Sequence, residues 1–265
     1  MADEGRKSTL GYWESNWGRA DVSKSAYLGR NTPAQHFQSV MHSKVTKFLG
    51  NLEKPDTKFL ELGCGGSHFL PYFAKTFGFQ IAGIDYSEAG CESAESVLKA
   101  EDVAGEIVRG DLFNPPAHMV EAFDVVGSFG LVEHFDDTTA CLKACARFVK
   151  PNGKMITMVP NMAGLYGRLY KIFDRSVFDM HVPLTARDLA EAHRSAGLDV
   201  EACEHLLGFV GVFDPGRRES NFLKQALRRS FFQLSRVYFG LEAKHIGIPP
   251  NRFTSPYILC TAIKA

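Results

Sequence analysis

The chain has 265 residues, 45% of them hydrophobic, enough to bury a sizeable core in one large domain or in a domain with an elaborate lid. Thirty basic and thirty acidic side chains cancel at a pI near 7.1, so no bulk field draws nucleic acid or an anionic membrane, and the expected partner is a small molecule. The opening stretch MADEGRKSTLGYWESNW has no apolar signal core and no run approaches the roughly 20 apolar residues of a membrane span, so the sequence predicts a soluble cytoplasmic protein.

Residues 1–50 precede the first strand signal and carry Tyr12, Trp13, Trp17, Tyr27 and Phe37. They are expected to form an N-terminal helical cap on a main domain spanning 51–265. From there, short apolar runs alternate with amphipathic stretches. Strands are expected at 58–62, 80–85, 105–111, 123–129, 154–160, 200–209 and 257–265, and helices around 67–77, 86–100, 137–149 and 185–196. This alternation is that of an α/β protein, a doubly wound, mostly parallel sheet with helices on both faces. Thr185 is the expected N-cap of the last of these helices, which ends before Gly197. VKPNGKM, at 149–155, reads as a turn into the fifth strand.

Two inserts interrupt the pattern, at about 161–184 and 210–256. The second contains Phe222, Leu223, Leu227, Phe231, Leu234 and Tyr238 at helical spacing. Both inserts and the N-terminal cap are expected to form a helical lid over one sheet edge, because ligands of open α/β sheets lie beyond the carboxyl ends of the strands. Arg217, Arg218, Lys224, Arg228 and Arg229 read as a solvated helix face. The six cysteines show no CxxC spacing, so neither a metal site nor a disulfide framework is expected.

The chemistry-bearing signal begins in KFLELGCGGSHF, residues 58–69. Gly63, Gly65 and Gly66 sit where a buried strand must turn into a helix, and glycine permits both positive φ and close approach of a ligand. His68 stands where a dinucleotide loop needs its third glycine, and the Lys-Ser/Thr of a phosphate-binding loop is absent. Further acids mark the next strand ends. Asp85 in IAGIDYS can accept both hydroxyl protons of a ribose. Asp111 in VRGDLFN can accept from an exocyclic amine such as that of adenine, with the Leu112 N–H available to a ring nitrogen.

This ordered set resembles the class I S-adenosylmethionine-dependent methyltransferases over roughly residues 55–205. ELGCGG looks like the family's glycine loop, which implies that Glu61 supports it while Gly63, Cys64 and Gly65 pass under the methionine part of the cofactor. Asp85 matches the ribose acid, Tyr86 the side chain that lies against adenine, and Asp111 with Leu112 the adenine-reading pair. FDVVGSFGLVEHFDD, at 123–137 with Ser128 and Glu133, looks like the fourth strand and the turn under the sulfonium. The resemblance implies a Rossmann-like seven-stranded sheet whose final strand inserts antiparallel between the fifth and sixth. Gly127-Ser128-Phe129-Gly130 replaces the Asn/Asp-Pro-Pro-aromatic motif of enzymes that methylate nucleic-acid amines, so the acceptor is expected to be a small molecule. NPPA at 114–117 follows the third strand and reads as a loop.

Methyl transfer needs an acceptor, a methyl carbon and a sulfur held in line, and an acceptor that must lose a proton also needs a base. His134, beside Glu133, is the first candidate, and His181 in FDMHVPLT the second. Tyr12 and Trp17, in YWESNW, can close over the cofactor and exclude water. The expected function is methyl transfer to an oxygen, nitrogen or sulfur of a small molecule. A catalytically silent binding subunit and an NAD-linked oxidoreductase are the alternatives.

Overall fold

The computed structural model describes residues 5–17, 33–50, 52, 56–209 and 246–265, with isolated positions between 225 and 244. Tyr27, the basic cluster at 217–229 and four of the six apolar positions proposed for the long insert helix lie outside the described residues. Seven strands form one sheet: β1 Lys58–Leu62, β2 Gln80–Asp85, β3 Gly105–Arg109, β4 Phe123–Phe129, β5 Val149–Pro160, β6 Leu198–Leu206 and β7 Tyr257–Lys264. Their order is β3-β2-β1-β4-β5-β7-β6. β7 runs antiparallel to both neighbours, as the sequence led us to expect, and the other adjacent pairs are parallel.

The helices are α1 Leu10–Trp17, α2 Pro33–Leu49, α3 Phe69–Phe77, α4 Glu88–Ala100, α5 Thr138–Ala146, α6 Leu165–Phe173, α7 Arg175–Asp179 and α8 Ala186–Ser195. Local chemistry sets their ends. The Ser87, Asp137 and Thr185 side chains accept first-turn amides of α4, α5 and α8, and Thr185 shares a reciprocal capping box with Asp188. Gly78 closes α3 in the left-handed conformation.

Parallel strands buried on both faces must be apolar on both. β1 shows this directly: Leu60 and Leu62 join a cluster with α5 and α8, whereas Phe59 joins a second cluster with α2, α3 and α4. Met41, Val45, Phe48 and Leu49 of α2 are part of that second core. The described residues among the first fifty therefore divide between a helix built into the core and a segment, 5–17, lying elsewhere.

Several boundaries differ from the sequence reading. β3 stops at Arg109, because Gly110 and Asp111 leave the ladder to form the loop of the site. β6 ends at Leu206, before Leu207 turns to positive φ. The Pro-Asn-Gly turn survives as an irregularity inside β5, where pairing jumps from Phe123↔Val149 to Val125↔Lys154 and Asn152 adopts φ +60°. All six cysteines are free thiols. No helix among the described residues is long and apolar enough to cross a membrane.

Phe59 is fully buried and stacks on Phe73 with ring centroids 3.9 Å apart. Phe59→Ala is expected to destabilise the protein by about 3–5 kcal/mol in urea unfolding, whereas Ile172→Ala, at a 64% exposed position, shifts stability by no more than about 0.5 kcal/mol.

Candidate active site

The parallel register aligns Leu62, Ile84 and Ser128 across β1, β2 and β4, so the chain leaving each strand opens onto one edge of the sheet. A cavity of about 430 Å³ lies there. Glu61, Gly63, Cys64, Asp85, Tyr86, Asp111, Leu112, Trp17 and His134 all line it, so residues separated by up to 117 positions meet around one space.

The first wall is the glycine loop. Gly63 and Gly65 have φ of +68° and +30°, conformations that a side chain would strain, and a Cβ on Gly65 would lie 2.4 Å from the Trp17 ring. Beneath the loop, Glu61 is 1% exposed, and burial pushes its carboxyl up to about 8 against the opposing Ser67 hydrogen bond. One of its oxygens has no hydrogen-bond partner among the described residues.

Asp85 ties loop to helix. Its Oδ2 accepts the Gly65 N–H at 3.0 Å and its Oδ1 the Ser87 N–H at 2.9 Å. Burial nevertheless raises its pKa. Both oxygens keep lone-pair capacity toward the cavity, because a carboxylate offers about four acceptor sites. At the next strand end, Asp111 Oδ1 accepts the Phe113 N–H at 3.1 Å and Arg6 Nη2 at 2.9 Å.

After β4 the chain reverses at Gly130, with φ +80°, into a short 3-10 turn over Val132–His134. His134 Nδ1 lies 2.8 Å from the Met180 carbonyl, and His181 Nδ1 lies 2.6 Å from that of Val177. A carbonyl can only accept, so in both rings Nδ1 carries the hydrogen and Nε2 is left as an acceptor. Burial, then the neighbouring His181, pushes His134 down to about 3, and burial lowers His181 as well. Glu133 is pushed the other way by burial, up to about 8.

Not every expected residue faces the cavity. Ser128 is fully buried behind it, Glu133 and His181 stand behind His134, and Tyr12 packs edge-on against Trp13 at 5.1 Å. One donor atom from each of Glu133, His134 and His181 lies within 4.8 Å of the others, a spacing that one metal ion could bridge, whereas the sequence suggested no metal centre. Phe69, Phe129 and Phe135 line the cavity without having been singled out as site residues, since phenylalanines in apolar runs read as core. Arg6, in a polar N-terminal stretch, gave no sequence signal.

The profile of the methyltransferase domain family matches residues 34–202, which span β1 to β5 and reach into β6. This chain belongs to that family. It is a class I S-adenosylmethionine-dependent methyltransferase, and hydride transfer through NAD is set aside. The methyltransferase is 29% identical over 165 residues to a ubiquinone biosynthesis O-methyltransferase of Neisseria meningitidis, an alignment covering 57% of this chain and 67% of that one. It is 26% identical over 147 residues to a glycine/sarcosine/dimethylglycine N-methyltransferase of Actinopolyspora halophila, covering 54% and 25% of the two chains. Its fold matches that of a geranyl diphosphate C-methyltransferase from Streptomyces coelicolor A3(2) with TM-score 0.61, at 14% identity and 97% coverage of each chain.

The site of the methyltransferase fits its cofactor on its own geometry: a side-chain-free bend, two strand-end carboxylates and a space of suitable size converge. The buried acid of the turn has a measurable consequence. Unfolding returns Glu133 from about 8 to its ordinary value of 4.5, so its contribution to stability is present below pH 4.5 and is lost as pH rises through 8. Glu133→Gln, which cannot ionise, is expected to gain thermal stability relative to the parent protein as pH rises from 5 to 9. The limiting slope is about 1.4 kcal/mol per pH unit, read from paired melting curves.

Proposed function

We infer that this methyltransferase transfers the methyl group to a hydroxyl oxygen of a small acceptor, with His134 as the base. The observation that carries this reading is the His134 ring: neutral, fixed by its Nδ1–H on Met180, and lining the cavity that Asp85 and Asp111 also line. The resemblance to ubiquinone biosynthesis O-methyltransferases supports it.

S-adenosylmethionine, when bound, supplies a methyl carbon already activated by the adjoining sulfonium charge. The protein's work is then to bind, orient and take a proton. Asp85 would accept hydrogen bonds from the ribose hydroxyls, with its carboxylate held in one orientation by the Gly65 and Ser87 amides. Asp111 and the Leu112 N–H read the adenine edge, and Tyr86 gives it a flat contact. Gly63, Cys64 and Gly65 present backbone to the methionine part, and the neutral Glu61 beneath them adds no charge to repel its carboxylate.

Toward the acceptor, Phe69 and Phe129 stack at 3.8 Å and make the cavity walls flat and apolar. Such walls exclude water and orient a planar acceptor. Alignment can contribute on the order of 7–11 kcal/mol, against about 10²–10⁴-fold from the base. His134 takes the proton on Nε2. His181, whose ring centroid is 4.4 Å away, holds that ring in place.

Asp85→Ala is expected to lower the affinity for S-adenosylhomocysteine at least about tenfold in titration calorimetry, the scale of a lost charge-assisted hydrogen bond. It also leaves two amides without their acceptor, so circular dichroism should confirm the fold; unchanged affinity in a folded variant would remove the ribose assignment. His134→Ala should leave that affinity within about threefold while slowing turnover about 10²–10⁴-fold. Turnover is followed by mass spectrometry with deuterated-methyl cofactor on phenol, amine and thiol acceptors. Labelling of amines or thiols with phenols untouched would overturn the oxygen assignment. Because burial holds His134 neutral far below pH 6.5, the base-dependent rate should show no acid limb between pH 8 and 6.

A further inference from the structure

The segment 5–17 lies across the cavity, and its contacts fall on the groups assigned above to the cofactor. The Arg6 guanidinium donates to Asp111 at 2.9 Å and lies over the Tyr86 ring, 4.5 Å from its centroid, with Phe135 at 5.6 Å. A guanidinium is planar, carries outward N–H groups and stacks on aromatic faces. Those are the same three demands that an adenine with its exocyclic amine makes on an acid and an aromatic ring. Further along, the Trp17 indole packs on the bare backbone of Gly65 and Gly66 and reaches toward Gly90, beside the Asp85 carboxylate. Trp13 meets the His134 ring edge-on at 5.2 Å.

The segment is anchored outside the cavity as well. The Lys7 N–H donates to the His134 carbonyl and the Asp136 N–H to that of Gly5, each at 2.8 Å. The Glu14 carboxylate accepts the Glu88 and Ala89 amides at 2.8 and 3.1 Å, at the start of α4. Yet no residue of α1 is fully buried, Trp13 and Trp17 being half-buried, and no residue of 5–17 belongs to either main core cluster, so the segment can lift without breaking the core.

We propose that residues 5–17 form a strap that occupies the cofactor's own contacts, Arg6 in place of adenine and Trp17 in place of the methionine arm. Cofactor binding and withdrawal of the strap are then one coupled event. The apparent affinity is the intrinsic one reduced by the fraction of molecules with the strap open. The proposal rests on the assignment of Asp85 and Asp111 to adenosine.

The test uses the full chain and S-adenosylhomocysteine. Trp13 and Trp17 are the only two tryptophans in the sequence, so in Trp13→Phe the emission reports on Trp17 alone. Saturation with S-adenosylhomocysteine is expected to shift that emission to the red and to increase its quenching by acrylamide; unchanged or reduced quenching overturns the strap. In stopped-flow binding, Arg6→Ala and Glu14→Gln should each tighten the apparent affinity, by roughly tenfold for the half-buried pair and less for the exposed anchor, through a faster association rate. Weaker binding in both variants makes the segment a fixed roof and overturns competition. Asp85→Ala separates the two failures. If it retains affinity, the adenosine assignment falls; if it loses affinity while the other two variants also weaken, the assignment stands and the strap falls.

Discussion

The Asp85 carboxylate joins two pieces of backbone, the glycine loop and the start of α4, across the end of β2. One oxygen holds the amide of Gly65 in the loop after β1, and the other holds that of Ser87 before α4. Each of those amides would otherwise be buried without a partner, at a cost of about 1–3 kcal/mol. The glycine bend and the helix start are thus fixed to the strand end by this side chain together with the Gly63 and Cys64 amides, which donate to the Ile84 carbonyl. That side chain is itself pulled toward its neutral form by burial. The opposition is useful: a desolvated carboxylate with spare lone pairs binds hydroxyl donors more strongly than a solvated one.

Charge is managed differently on the acceptor side. Glu133 is pushed toward neutrality from below, His134 and His181 from above, all chiefly by burial. The turn after β4, with His181 packed against it, therefore collects three titratable side chains and little net charge. A cation already present there would oppose a sulfonium, so this neutrality suits a site that must receive a positive group. The same donor set has metal-ligand spacing. Neutral imidazoles with free Nε2 atoms serve as proton acceptors or as ligands, and it is the fixed tautomer that makes either possible.

The relatives show how little the framework decides about the acceptor. Proteins named for methylating oxygen, nitrogen and carbon share this architecture or part of this sequence. The sheet supplies the cofactor half of the chemistry through short loops at fixed strand ends, and the walls facing the acceptor come from segments attached to it. On the reading proposed here those walls come from Phe69 at the start of α3 and Phe129 at the end of β4, positions the sheet does not require to be aromatic.

Local rules made much of this legible in the chain. A strand must be apolar, a sharp bend with close ligand approach needs glycine, and strand ends carry the polar groups of an open α/β sheet, so Gly63, Gly65, Asp85 and Asp111 stood out at their spacing. Thr185 announced its helix for the same reason, since capping is a contact over three residues. The place of Arg6 on Asp111, of Trp17 on Gly65 and of His181 behind His134 had no such signature. These pairs are 105, 48 and 47 positions apart, and nothing in a polar or aromatic residue's neighbours says which distant surface it will cover. Burial, too, was hidden: the shift of Glu133 and His134 toward neutrality comes from the protein packed around them. Residue identity therefore set which groups could act, and long-range packing set their charge, their tautomer and what lies against them.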